Sequence, residues 1–83
     1  MNASLLDAPR PPAPLWAEVS AVSPRLWRVS DRRGRIVGHI RAHLCDTGWR
    51  FSAERFSSTE HAFRALGDFW RADDALECLR YLR

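Results

Sequence analysis

Three histidines and two cysteines are the side chains that a metal site or a nucleophilic mechanism would draw on first in this 83-residue chain. His39, His43 and Cys45 lie close together, and on a regular strand they share one face. Residues four apart on a strand are, however, about 13 Å apart, too far to hold one zinc ion without a bulge. No metal site is expected. Cys45 and Cys78 have neither the number nor the spacing of a disulfide framework or a zinc ribbon, and they read as free thiols. A serine, a histidine and an acid can be picked from the chain, yet nothing sets a nucleophile on a sharp turn with a base beside it. The chain therefore reads as non-enzymatic, with no cofactor.

Arginine is the more informative chemistry. All thirteen basic residues are arginine, a bias that codon composition in a GC-rich genome explains by itself, so their placement matters more than their number. Residues 1 to 24 hold one Arg against Asp7 and Glu18, residues 25 to 64 hold nine against four acids, and residues 65 to 83 hold three against four. The middle segment thus carries net +5 in a chain of net +3, an electrostatic footprint suited to a polyanion such as nucleic acid.

The elements that must position these arginines follow from period and turn chemistry. Leu26 to Ser30 read as a strand that stops at Asp31, Arg32, Arg33 and Gly34, a charged hairpin turn with glycine available for positive φ. Ile36, Gly38, Ile40, Ala42 and Leu44 alternate with Val37, His39, Arg41 and His43, which gives a second strand an apolar face and a basic one. After a turn at Cys45 to Gly48, Trp49, Phe51 and Ala53 alternate with Arg50, Ser52 and Glu54 in a third strand ending near Phe56. Ser57 to Glu60 form a polar loop, and Phe63 to Phe69 add a short edge strand. Ala72, Ala75, Leu76, Leu79 and Leu82 then recur at helical spacing, with Asp73 and Asp74 at the start and Arg80 and Arg83 at the end suiting the helix dipole. Trp27, Trp49, Phe51 and Phe69 occupy strand positions that belong to a core rather than to a stacking surface.

The fold class expected is α+β, an antiparallel sheet of three or four strands with one carboxy-terminal helix, from about Arg71, packed on one face. All five prolines fall within residues 1 to 24, which read as a proline-rich tail, extended or partly disordered, ahead of a single domain over residues 25 to 83. Whether residues 15 to 24 fold back as a helix or a strand is left open by the pattern of Leu15, Trp16, Val19 and Val22. A composition 46% hydrophobic with four tryptophans favours a folded chain, and no apolar run approaches the ~20 residues of a membrane span. With no secretory signal pattern at its start, the cytoplasm is the default location.

Ile40 and Arg41, then Arg50, Phe51, Ala53 and Glu54, then Leu66, Gly67, Phe69, Ala72, Asp74 and Ala75 together resemble the DNA-binding domain of plant ethylene-response factors and the arm-binding domains of tyrosine integrases. The resemblance spans residues 38 to 79. It implies a three-stranded antiparallel sheet in the DNA major groove with a helix behind it. The chain departs from that pattern in an added strand around Trp27, a longer turn after the second strand, and His43 where an arginine is usual. It is also similar to small uncharacterised actinobacterial proteins, a likeness that implies no function.

On such a sheet Arg41 and Arg50 are the candidate base contacts, since an arginine fork matches a guanine edge, while Arg28, Arg32, Arg33 and Arg35 would clamp phosphates. His43 would add a contact whose charge depends on pH. The competing structural role for each arginine is a rim residue paired with Glu54, Asp31 or Asp46. The function expected is that of a small DNA-binding accessory or regulatory protein. The alternative is a protein-interaction module, an adaptor or inhibitor of mobile-element origin, that uses an edge strand, the proline-rich tail and Trp70, which stands off the apolar face of the helix. An exposed edge strand also offers a route to a homodimer.

Overall fold

The structure, a computed structural model, describes residues 8–82. Expectations for the first seven residues of the tail and for Arg83, and for the side chain of Leu82, lie outside the described residues. The chain is α+β, with strands β1 (Ala17–Ser23), β2 (Leu26–Asp31), β3 (Ile36–Cys45), β4 (Gly48–Ser57) and β5 (Ala62–Phe69), then helix α1 (Ala72–Leu82). The strands form one antiparallel meander in the order β1-β2-β3-β4-β5. The sheet therefore has five strands, not three or four.

The additional strand is β1. Ala17, Val19 and Ala21 give only a faint alternation after the prolines, which hides the strand in the sequence. Pairing Val19 with Val29 and Ala21 with Trp27 satisfies the outer backbone groups of β2, whose Trp27 and Val29 lie in the core. The sheet thus begins eight residues before the division expected at residue 25. Pro24 sits in the tight turn between Ser23 and Leu26, where its fixed φ is an asset. The proline-rich segment also returns to the body of the protein. Ala8 is 7% exposed, Trp16 packs against the core, and Arg32 Nε donates to the Leu15 carbonyl oxygen at 2.7 Å.

The β2–β3 turn forms as its residues demand. Asp31 Oδ1 accepts from the backbone amides of Arg33 and Arg35 at 2.9 and 3.0 Å, and Gly34 takes φ +84, a conformation nearly closed to other residues. Asp31 is thus a turn-former as much as a charge.

One face of the sheet is covered and the other is not. The helix packs across β3, β4 and β5 and buries Ala72, Ala75, Leu76 and Leu79 against Ile40, Ala42, Phe51 and Ala53. Close approach depends on Gly38: a Cβ there would collide with the Glu54 carbonyl oxygen and stand 2.8 Å from Leu79 Cδ2. The opposite face carries no helix. No helix among the described residues is long and apolar enough to cross a membrane.

A candidate nucleic-acid interface

Strand register decides what the uncovered face presents. Arg28 stands opposite His39 and His39 opposite Glu54, Arg41 opposite Ser52 and Ser52 opposite Asp68, and His43 opposite Arg50. Since side chains alternate along a strand, all of these lie on the side away from the helix, as the two-residue period requires. Arg28, Arg41, His43 and Arg50 are therefore brought together on one surface.

That surface is close to charge balance. Arg41 Nε donates to Glu54 Oε2 at 2.9 Å, with Nη2 at 3.4 Å from Oε1, so Arg41 has the structural partner anticipated for it. Arg50 is held more tightly still. Its Nε donates to Asp68 Oδ2 at 3.1 Å, its Nη2 donates to the Asp68 carbonyl oxygen at 3.0 Å, and its guanidinium carbon lies 4.2 Å from the Trp70 ring centroid. Ser52 Oγ donates to the other carboxylate oxygen of Asp68 at 3.0 Å, and His43 Nε2 lies 3.5 Å from Oδ2. Asp68 is thus the hub of the face. For either arginine to fork onto a guanine edge, it must leave a carboxylate behind on the same surface.

Trp70 is 55% exposed, with one ring face occupied by Arg50. Trp27 and Phe51 are buried, and Trp49 and Phe69 pack against the core, so the four strand aromatics serve packing. His39 stacks on Phe63 with centroids 3.8 Å apart, and its buried Nδ1 has no hydrogen-bond partner. Burial holds the His39 pKa below its ordinary value; Glu54 opposes this, and Arg28 and Arg41 add to it. Cys45 and Cys78 are free thiols, and burial pushes the Cys78 thiol up. Among the described residues no group of three His, Cys, Asp or Glu could hold a metal ion.

A second, more basic surface lies at the end of the sheet where the β2–β3 and β4–β5 turns meet. Arg33, Arg35 and Arg55, with Asp31, Ile36, Val37 and Phe56, line an open concavity of about 560 Å³. Arg55 and Arg64, with Phe56, Leu66 and the Ser57–Ser58–Thr59 loop, line another of about 430 Å³. Arg55 and Arg64 are directly opposed across β4 and β5, a like-charge pair that disfavours the bare sheet. Arg64 is relieved in part by Glu60 at 3.0 Å. Arg28, Arg33 and Arg35 are exposed and take part in no ion pair among the described residues. Arg32 is spoken for by Leu15.

Arg55, Phe56, Phe63 and Arg64 were not among the residues expected at the site. The signal for them is a mirror in the sequence: Arg55-Phe56 and Phe63-Arg64 flank one polar loop, and a hairpin closing it must bring like residues together. The register pairs Phe56 with Phe63 and Arg55 with Arg64. Comparison with known proteins finds no family model that matches the chain, and no curated protein or solved structure with a significant match to it.

Proposed function

We propose that this is a small non-enzymatic DNA-binding accessory or regulatory protein that grips phosphate through the arginines at the turn end of its sheet. The observation that carries this reading is the contrast between two arginine sets. Arg41 and Arg50 are engaged by Glu54 and Asp68, whereas Arg33 and Arg35 rim an open concavity and take part in no ion pair among the described residues. Arginines held this way supply affinity through counterion release and little base readout. The resemblance over residues 38 to 79 points to the same ligand by a separate route.

The test is fluorescence anisotropy with a mixed-sequence duplex. Affinity is expected to fall at least tenfold between about 50 and 200 mM salt, and Arg33→Ala with Arg35→Ala should lower the salt slope by about 2. Absence of any binding at low salt removes the proposal.

A second reading, a protein-interaction module, draws on the exposure of Trp70 and on β1 and β5 as the two edges of the sheet. A defined partner whose binding is lost in Trp70→Ala, with duplex binding untouched, would favour it.

A further inference from the structure

We infer that the outer edge of β1 is a self-association surface, on which a second copy of this chain lays its own β1 antiparallel to form a two-fold dimer with one continuous sheet. β1 is an outer strand of the meander, and no described segment pairs with its far side. In an antiparallel pair the amides and carbonyls of alternate residues point away from the partner strand. β1 therefore presents a row of backbone donors and acceptors suited to one more strand.

The two edges of the sheet differ. Exposed edges are ordinarily blunted by charge, proline or a bulge. β5 carries Arg64 and Asp68 within it, and Leu66 is left over as a bulge between Ala65 and Gly67. β1 reads Ala-Glu-Val-Ser-Ala-Val-Ser, with Glu18 as its single charge, and its register on β2 is regular from Ala17 to Ala21. Ser20, Ala21, Val22 and Ser23 are exposed and small, so nothing bulky stands off this edge. One open edge and one blunted edge per chain select the occupant. Pairing β1 with β1 uses both open edges and ends at two copies, whereas pairing β1 with β5 would propagate into a filament.

Self-pairing centred on Ser20, the middle residue of β1, suits the side chains as well. Ser20 meets its own mate, where two hydroxyls can hydrogen-bond. Val19 meets the second copy's Ala21 on the helix side, which extends the apolar row that Val29 and Trp27 begin on β2. Glu18 meets Val22, and the two Glu18 carboxylates stand about 13 Å apart along the strand, so no like charges are directly opposed. A contact limited to one seven-residue strand buries less than the about 1,200 Å² of a standard interface, which places the dissociation constant at about 10–100 µM.

The experiment is sedimentation equilibrium of the full chain from about 5 to 500 µM, where the average mass should rise from one copy to two with a midpoint in that range. Ser20→Glu with Val22→Glu adds two acids beside Glu18 at exposed positions and should weaken the dimer at least about tenfold. Ser20→Thr, and Ala62→Glu at an exposed position of β5, should each stay within about threefold. Independently of how the variants fold, amide hydrogen exchange of the unmodified protein should slow in β1 and not in β5 as concentration rises through the midpoint. A single-copy mass throughout, a mass that grows past two copies, or a loss in Ala62→Glu equal to that of the double variant overturns the inference. So does concentration-dependent protection confined to residues outside β1.

Discussion

His39 and Phe63 stack almost in parallel on the uncovered face of the sheet, their planes 15° apart, with β4 between the strands that carry them. The contact shields the imidazole from water and leaves Nδ1 without a hydrogen-bond partner, and burial favours the neutral ring over the charged one. Its folded pKa lies below that of the unfolded chain. The unfolded state therefore binds more protons below about pH 6.5, and the contribution of this stack is complete above that value and lost as pH falls through the folded pKa. The melting temperature is expected to fall on going from about pH 7.5 to 5.5, in a window where carboxylates hardly titrate. His39→Gln should flatten that dependence, and a slope equal to that of the unmodified protein would assign it to other groups.

The helix depends on Leu79, whose side chain is 0% exposed, and on the absence of a side chain at Gly38 beneath it. Leu79→Ala is expected to cost about 2–5 kcal/mol. Gly38→Ala should cost about 1–3 kcal/mol, since Leu79 can shift but the Glu54 backbone is fixed by the sheet. Urea titration of the two variants and their double checks both values. Because the residues touch, the double variant should lose less than the sum.

Removal of residues 1 to 14 should lower stability by about 1–2 kcal/mol, because Ala8 leaves the core and Pro11 and Pro14 leave half-buried positions. For a domain of this size that is a fall in melting temperature of at least about 4 °C. An unchanged transition would mean that the segment contributes nothing to the folded state.

Arg50 offers a test of where DNA contact lies. With its fork on Asp68 and its plane over Trp70, Arg50→Ala is expected to change duplex affinity by less than about threefold at moderate salt, whereas Arg33→Ala with Arg35→Ala should reduce it more than about tenfold. The reverse ranking would place the contact on the sheet face and require Arg50 to leave Asp68. Anisotropy titrations of both variants at one salt concentration distinguish the two.

Local chemistry determined much of this molecule. The alternation from Ile36 to Leu44 and from Trp49 to Glu54, the turn residues Asp31 and Gly34, and the helical spacing of Ala72, Ala75, Leu76 and Leu79 each set their element through near neighbours in the chain. The side of the sheet on which Arg28, Arg41, His43 and Arg50 stand follows from the same alternation. Tertiary structure decided the rest. Strand β1 carries too weak a pattern to stand alone and exists by pairing with β2, and Ala8 is buried only because the proline segment turns back to the core. The partner of Arg50 is Asp68, 18 residues away, and that pairing requires the register of β5 on β4 with Leu66 left over as a bulge. Asp31 was available in sequence as a partner for nearby arginines, but its carboxylate holds the amides of its own turn. An arginine's charge is written in the sequence, whereas its availability to a ligand depends on which carboxylate the register sets within reach.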